Sequence, residues 1–311
     1  MTTTPHTSST VAQLPETVAR RPQVGQAVSA VALAALLAWG AWLFIDNDKI
    51  ELSLVGEYLF NENILHGLLN TLLLAVFAEL IAIVLGVIIG FGRLSKNAAF
   101  SAGSWLYVWL FRSTPVVVQI LLWGNLALFF PVLGFGPWQV ETNEVLTPFV
   151  AGVIALALYE ASYLAETVRS GIISVPRAQR EAAAALGLSW FQMQRKVILP
   201  QALRVMIPPA GNAFLVLLKS TALVVVIAGG DLLTEAQNIA SVNLRTIELL
   251  LVATIWFLAV TSVANVGQWM LEKRYDRQNR ELSRSVFSRL RGRKDGAADM
   301  RPATAGDAAK E

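Results

Sequence analysis

Six apolar segments of roughly membrane-spanning length divide this chain, and they constrain its fold more than any other feature. They cover residues 28–45, 65–91, 105–132, 149–166, 208–227 and 249–270. About 20 apolar residues suffice to cross a bilayer as an α-helix, which satisfies its own backbone hydrogen bonds. The composition agrees, because 55% of the residues are hydrophobic and 15% are charged. The sequence therefore predicts an all-α, polytopic membrane protein with six spans.

Lys and Arg residues alternate between the loops that join these segments. Basic stretches lie at residues 20–21, 93–96, 169–204 and 273–294, whereas residues 46–62, 132–147 and 229–243 contain one basic residue, Lys49. Loops rich in Lys and Arg stay on the inner side of a membrane. We therefore expect a multi-pass protein of the bacterial cytoplasmic membrane, with both termini in the cytoplasm.

The two ends of the chain differ from its middle. Residues 1–27 are predicted to be a disordered cytoplasmic tail, and residues 272–311 a basic cytoplasmic tail that contacts lipid headgroups rather than nucleic acid. Residues 28–64 are predicted to be an additional N-terminal span and an external loop. The alternative is a processed signal or signal anchor, because the apolar run at 28–45 is short.

A polar, helical island at residues 174–209 lies between the fourth and fifth apolar segments. Its first helix is predicted to begin near Pro176 and end at Gly187, since proline suits a first turn and glycine a helix C-terminus. The second is predicted to begin with a capping box of Ser189 and Gln192 and to end before Pro200. The small residues of the first helix would let another protein approach closely.

The island carries a motif of defined spacing. Glu181-Ala182-Ala183 is followed by Gly187 and then by Val197, Leu199 and Pro200. This pattern resembles the EAA loop of ATP-binding-cassette (ABC) importer permeases, with Val197 where isoleucine is usual. The segments LFRSTPVVVQI, YEASYLAETVRSGI and LPQALRVMIPPAGNAF resemble the histidine/glutamine-type branch, which imports polar amino acids. The resemblance covers approximately residues 65–270.

This resemblance implies a fold for the spans and a separate role for the island. The spans at 65–271 would form a type I permease domain with five core helices, to which the segment at 28–45 adds a sixth. The island would be its coupling loop and would contact the ATPase through six residues. They are Glu181, Ala182, Ala183, Gly187, Leu199 and Pro200. For Glu181 the alternative is stabilisation of its own helix through the dipole.

The resemblance also implies partners. They are a cytoplasmic ABC ATPase dimer, a second permease copy or a paralogous permease, and an extracytoplasmic amino-acid-binding protein that docks on acidic external loops. The chain has no phosphate-binding P-loop motif, so ATP and Mg²⁺ would bind the partner ATPase, and we expect no cofactor and no enzyme activity in this chain. We also expect no metal site, because there is no cysteine and His6 and His66 lack metal-ligand spacing.

Several polar residues within the spans are candidates for the transport pathway. Glu79 and Lys219 are each costly at mid-membrane, so they either pair with each other or contact the substrate. Glu160, Tyr163, Glu166 and Arg169 recur at helical spacing and share one face, which predicts a pathway or a subunit interface. Within it, Glu166 and Arg169 are predicted to pair near the cytoplasmic end.

Two interpretations remain open for Ser220 and Thr221, and two for Pro115. Ser220 and Thr221 either contact the substrate or donate to carbonyl groups one turn back. Pro115 either kinks the third span as a gate or has a purely structural role, and Arg112 is expected to reach towards cytoplasmic headgroups. Gly86 and Gly90 are expected to allow close helix packing.

Two other functions compete with an ATP-driven importer that works by alternating access. An ion-coupled secondary transporter would use Glu79, Glu160 and Lys219 as coupling groups, but it leaves the island unexplained. A membrane scaffold that recruits a cytoplasmic partner would use the island, but it leaves the charges within the spans unexplained.

Overall fold

The computed structural model describes residues 24–46 and 51–298 and divides the chain into two units, Met1–Leu52 and Ser53–Glu311. Most of the predicted N-terminal tail therefore lies outside the described residues, as do residues 299–311. In the first unit, helix α1 covers Val24–Ile45, so the first apolar segment is helical. Its most apolar part, Val28–Gly40, is shorter than the candidate spans described below, and the sixth span remains a prediction.

The rest of the chain is almost entirely helical, which confirms the all-α prediction. The helices are α2 (Leu52–Tyr58), α3 (Glu62–Arg93), α4 (Ala98–Ser113), α5 (Val116–Gly124), α6 (Thr142–Val145), α7 (Pro148–Ile173), α8 (Arg177–Ala185), α9 (Trp190–Met193), α10 (Leu199–Ser220), α11 (Leu232–Asn243) and α12 (Thr246–Ala298). Two-residue strands, β1 (Val132–Leu133) and β2 (Val140–Glu141), form an antiparallel hairpin.

Four helical segments of the described chain are long and apolar enough to cross a membrane. They are Glu62–Arg93, Pro148–Ile173, Trp190–Ile227 and Thr246–Tyr275. A fifth span results if α4 and α5 are counted together. Each of the four begins before the predicted segment and ends at or after it, because polar residues continue a helix beyond its apolar core.

The third predicted span is interrupted at Pro115, where the sequence predicts a kink, and its two parts are separate helices. Helices α4 and α5 meet at an angle of 100°. The break falls at Thr114 and Pro115, where the backbone is extended. Proline disfavours helical geometry in the preceding residue and has no N–H to donate, so the sequence forces the helix to stop here.

The second island helix does not end before Pro200, which corrects a prediction. Helix α9 continues through a π-helical turn at Gln194–Ile198 directly into α10. Pro200 is therefore in the first turn of α10, where a missing N–H is tolerated, while Pro208 and Pro209 lie inside that helix. The fifth span starts within the island rather than at residue 208, so the island and the span form one continuous helical element.

Helix α7 is the most buried of the spans and packs along α3. The close contact between them, here called the seam, is made where Gly86 and Gly90 face Leu164 and Val168. A Cβ at Gly86 would lie 2.6 Å from Leu164 Cβ, and one at Gly90 would lie 2.8 Å from Val168 Cβ. Only a residue without a side chain fits at this separation, so the predicted packing role of these glycines is confirmed.

Candidate functional site

Helices α4, α7 and α10 line a partly open cavity of about 400 Å³ around the middle and one end of α7. Its polar lining includes Arg112, Tyr159, Glu160, Tyr163, Glu166 and Asn212. Three of these were predicted to share one helix face, and the structure brings them together on one wall. Tyr159 and Asn212 were missed, because neither a tyrosine nor an asparagine is costly enough in a span to draw attention.

Glu160 is the most buried charged group of this cavity. Its side chain is 2% exposed, and its Oε1 atom has no hydrogen-bond partner in the described chain. Glu79 lies on the adjacent α3, close enough to oppose a negative charge on Glu160, and its Oε2 atom is also buried without a partner. Burial of a carboxylate oxygen without a hydrogen-bond partner is costly, so Glu160 is a candidate to accept a hydrogen bond from a ligand in this cavity.

The predicted pairing of Glu79 with Lys219 is not present among the described residues. Lys219 is exposed on α10 and does not line the cavity, whereas Glu79 is half-buried beside Glu160. The Ser220 hydroxyl donates to Val216 O at 2.9 Å, and the Thr221 hydroxyl donates to Leu218 O at 2.7 Å. Of the two readings for these hydroxyls, the structure therefore shows the bond to a carbonyl of the preceding turn.

Arg112 lines the cavity, and its predicted reach towards cytoplasmic headgroups stays a prediction. Its guanidinium carbon lies 4.7 Å from the centre of the Tyr163 ring, a distance typical of a cation–π contact. The Tyr159 hydroxyl donates to the Tyr163 hydroxyl at 3.1 Å. The 100° break directs α5 away from α4 immediately after Arg112, and this leaves the guanidinium free to reach α7.

Gln119 stabilises the break. Its Nε2 atom donates to Phe111 O at 3.0 Å, and Phe111 is the residue four positions before Pro115. In an unbroken helix that carbonyl would accept from the N–H that proline lacks. Nε2 also donates to Thr114 O at 3.1 Å and to the Thr114 hydroxyl at 2.8 Å. One buried side chain thus replaces the backbone bonds lost at the break and fixes the end of α4 that bears Arg112.

An ion cluster closes one end of the cavity. Arg169 Nε donates to both Glu166 carboxylate oxygens at 3.0 Å, which confirms the predicted pair. Arg93 Nη2, at the end of α3, lies 3.8 Å from Glu166 Oε2. The sequence assigned Arg93 only to the charge pattern of a loop. Its contact with Glu166 depends on the close packing of α3 and α7, which no local pattern reveals.

The predicted capping signals of the island are confirmed. Helix α8 ends in a Schellman motif, with Leu188 N bonded to Ala183 O at 3.2 Å and Gly187 N to Ala184 O at 2.9 Å. Gly187 has a φ of +73°, which glycine adopts without strain. Helix α9 begins with the capping box between Ser189 and Gln192. The island is therefore a rigid unit with defined ends.

Side chains on α8 fasten the island to both walls of the cavity. Arg180 Nη2 donates to Ile172 O at the end of α7 at 3.3 Å and to Val175 O in the loop that follows at 2.8 Å. Gln201 Nε2 on α10 donates to Gln179 Oε1 at 2.6 Å. A displacement of α8 must therefore pull on the two helices that carry most of the cavity lining.

The outer face of the island is exposed and apolar. Leu186, Trp190 and Phe191 are 81%, 64% and 66% exposed, and Glu181 and Ala182 are exposed beside them, whereas Ala183 is buried. The predicted coupling residues thus divide into an inward-facing alanine and an outward-facing group. Large apolar side chains rimmed by polar ones typically mark a protein interaction surface.

At the other end of the bundle, α11 is a helix that the sequence pattern missed, because its apolar run is short. Asp231 is fully buried at its start and accepts hydrogen bonds from the Thr234 hydroxyl and from Leu233 N. Burial raises the pKa of the Asp231 carboxyl above its usual range, and these bonds oppose that shift. Leu232 N donates to the Thr71 hydroxyl at 2.9 Å, which joins α11 to α3.

Comparison with known proteins gives consistent results. The family model described as "binding-protein-dependent transport system inner membrane component" matches residues 82–277. The arginine transport system permease protein ArgU of Corynebacterium glutamicum is 38% identical over 255 residues, which is 81% of each chain. The glutamine transport system permease protein GlnP of Escherichia coli K12 is 30% identical over 68% of this chain and 92% of its own.

A solved structure has the same fold. The crystal structure described as "an amino acid ABC transporter with histidines" includes a chain that is 31% identical to this one. The similarity covers 72% of this chain and 99% of the other, with a TM-score of 0.63. The relatives and the fold thus agree with the resemblance seen in the island motif.

Proposed function

This chain belongs to the family of binding-protein-dependent transport system inner membrane components, and from that premise we propose that it is the permease subunit of an ABC importer for a polar amino acid. Multi-pass insertion in the inner membrane follows from the family. The substrate class is supported by the names of the relatives ArgU and GlnP, one for arginine and one for glutamine. Which polar amino acid it carries is decided by groups within the transport pathway.

One observation carries the substrate proposal: the buried Glu160 carboxylate, whose Oε1 atom has no hydrogen-bond partner in the described chain, and the Arg112 guanidinium line the same cavity. Glu160 presents a negative group, and Arg112 presents a positive group held by Tyr163. An amino acid carries an ammonium and a carboxylate on one carbon, so it complements both. We propose that Glu160 binds the cationic group and Arg112 the carboxylate, since guanidinium matches carboxylate geometry. Glu79 lies beside Glu160, and Tyr163 orients Arg112.

The energy for transport comes from a separate ATPase dimer that binds ATP and Mg²⁺ and docks on the island. The exposed face formed by Glu181, Leu186, Trp190 and Phe191 supports this role. ATP-driven closure of the ATPase would move α8 as a lever, and Arg180 and Gln201 would pass that motion to α7 and α10. A second permease copy or a paralogue completes the pathway. A binding protein delivers the amino acid at the opposite end of the bundle, so we place the island and both termini in the cytoplasm.

The test is uptake of radiolabelled amino acids by proteoliposomes that contain the permease, its ATPase and its binding protein. We expect ATP-dependent uptake, and we expect Glu160→Gln to reduce it by at least about tenfold, because a charged hydrogen bond is worth about 1.5–3 kcal/mol. Glu272→Gln, the same change on α12 outside the cavity, is the control and should leave uptake unchanged. Uptake that needs an ion gradient but not ATP, or full activity of Glu160→Gln, would contradict the proposal.

A further inference from the structure

The β-hairpin between α5 and α6, residues 132–141 and here called the aromatic hairpin, has a tip of defined shape. Val132 pairs with Glu141, and Leu133 pairs with Val140. Gly134 and Gly136 adopt φ values of +106° and +58°, and Trp138 N donates to Phe135 O at 3.2 Å. A side chain at Gly134 would collide with Trp138 O. The glycines thus permit a tight turn whose outermost side chains are aromatic.

These aromatic side chains are almost fully exposed. Phe135 is 91% exposed and Trp138 is 82% exposed, and Phe129 and Phe130 beside the hairpin are 65% and 58% exposed. In water, this much apolar surface is unfavourable by about 25 cal/mol for each Å². Nothing in the described chain covers the tip, so the native environment must supply what covers it.

The aromatic hairpin lies where a span begins. The Thr142 hydroxyl donates to Phe130 O, and Thr142 N donates to Pro131 O at 3.0 Å, so α6 holds the base of the hairpin. Thr147 then caps the N-terminus of α7, the central span. Helix α7 covers 26 residues, or about 39 Å at 1.5 Å per residue, and ends at the island. The hairpin is thereby fixed near the membrane boundary opposite the island.

The hairpin also shares the uncharged, apolar character of helix α5, which precedes it. No charged residue occurs between Arg112 and Glu141, a stretch that includes all of α5 and the hairpin tip. Val118, Leu121 and Leu122 on α5 are exposed, so the apolar surface extends from that helix towards the hairpin. Gln139 is the only side chain of the tip that can donate a hydrogen bond to a partner, apart from the indole of Trp138.

We propose that the tip of the aromatic hairpin inserts into the lipid interface and anchors the cavity-forming helices to the bilayer. Trp and aromatic side chains are enriched at this depth, where a ring contacts acyl chains and an indole N–H meets the headgroups. Polar residues such as Glu141 lie at the base of the hairpin, whereas the tip itself offers only Gln139 and the indole of Trp138 for side-chain hydrogen bonds to a protein. The anchor holds the loop after α5, so it limits how far α5 moves during transport.

The chain contains no cysteine, so a spin label can be placed at single sites without altering other residues. The experiment uses Phe135→Cys in the full-length permease, reconstituted in vesicles of phosphatidylethanolamine and phosphatidylglycerol without any binding protein. Electron paramagnetic resonance compares collisions of the label with oxygen, which concentrates in lipid, and with a water-soluble nickel chelate. Asn143→Cys, an exposed position in α6 near the hairpin base, is the matched control.

We expect the label at position 135 to collide more with oxygen and at least about threefold less with the nickel chelate than the label at position 143. Equal collision rates with the nickel chelate at both sites would overturn the proposal. They would show that the tip lies in water, where a soluble protein could bind it. Spectral broadening that disappears on dilution with unlabelled permease would also overturn it, because it would show contact between two copies. Thermal unfolding at the same temperature as the unmodified chain verifies that each labelled variant is folded.

Discussion

The seam between α3 and α7 and the outer face of the island both contain small residues, but these residues have different roles in the two regions. At the seam, Leu164 and Val168 of α7 occupy the space beside Gly86 and Gly90. On the island, nothing lies within 4 Å of a Cβ built at Gly187, and Ala182 is exposed. The seam is therefore an interface between two helices of this chain, whereas the outer face of the island is exposed.

This difference shows what small residues mean in a membrane protein. Inside the bilayer there is no hydrophobic force between helices, so close packing of glycine and alanine is what holds α3 to α7. Outside the bilayer the same residue types leave a shallow surface, and here it is bordered by Trp190 and Phe191, which are 64% and 66% exposed. Substitutions at the seam should therefore prevent folding. Substitutions on the island should leave the fold intact and abolish the coupling of transport to ATP hydrolysis.

The largest effect is expected at the seam. Gly86→Leu would place a Cβ 2.6 Å from Leu164 Cβ and force α3 and α7 apart. We expect little or no folded protein, measured as the monodisperse fraction after extraction in detergent. Gly103→Leu on α4 is the control, because a Cβ there meets nothing within 4 Å. Normal yield of Gly86→Leu would show that the seam does not hold the bundle together.

At the island, bulk and backbone strain can be separated at one position. Gly187→Ala and Gly187→Trp both impose a side chain on a φ of +73°, at a cost of about 1 kcal/mol, but only Trp adds bulk to the outer face. We expect both variants to fold, and we expect Trp alone to abolish ATP hydrolysis coupled to transport. ATPase activity and uptake are measured in proteoliposomes. Equal loss in both variants would mean that the Schellman motif matters rather than the docking surface.

A smaller effect is expected where the island is fastened to α7. Arg180→Ala removes the hydrogen bonds to Val175 O and Ile172 O, each worth about 1.5–3 kcal/mol for a charged donor. Because α8 would then move without pulling α7, we expect several-fold less uptake per ATP hydrolysed at similar ATPase activity. Arg180→Lys retains the charge and should recover part of the coupling. An unchanged ratio in Arg180→Ala would show that this contact transmits no motion.

The smallest effect concerns the break between α4 and α5. Gln119→Glu keeps the shape of the side chain but removes the Nε2 donor, which leaves Phe111 O without its partner. An unsatisfied buried carbonyl costs about 1–3 kcal/mol, so we expect a lower temperature of thermal unfolding and weaker amino-acid binding through the displaced Arg112. Gln192→Glu, in the exposed capping box, is the control. An unchanged unfolding temperature would mean that Pro115 fixes the break without help.

The sequence predicts the helices of this fold well and their breaks less well. Apolar length and capping residues locate α3, α7 and α8, because those signals are local. A kink at Pro115 was predicted but its angle of 100° was not, and the continuation of α9 into α10 through Pro200 was not predicted either. A proline shows only that one backbone bond is missing, and whether the helix bends or continues depends on a distant partner such as Gln119 or on a π-helical turn.

For the candidate site too, local features were predictable from the sequence, whereas contacts between separate helices were not. Glu160, Tyr163 and Glu166 were predicted to share a face because helical periodicity is local, and they line one cavity wall. The contact of Arg93 with Glu166 and the absence of a Glu79–Lys219 pair among the described residues were not predictable, because both depend on how separate helices pack. The roles of the coupling and pathway residues remain predictions that the experiments above address.

The proposed function requires above all that the island is the docking surface for a cytoplasmic ATPase. The direct measurement is the rate at which a membrane-impermeant maleimide modifies Leu186→Cys, at a position that is 81% exposed in a chain without cysteine. We predict rapid modification from the cytoplasmic side in the permease alone and at least about tenfold slower modification in the complex with its ATPase. Modification at the same rate with and without the ATPase, or only from the opposite side of the membrane, would contradict it.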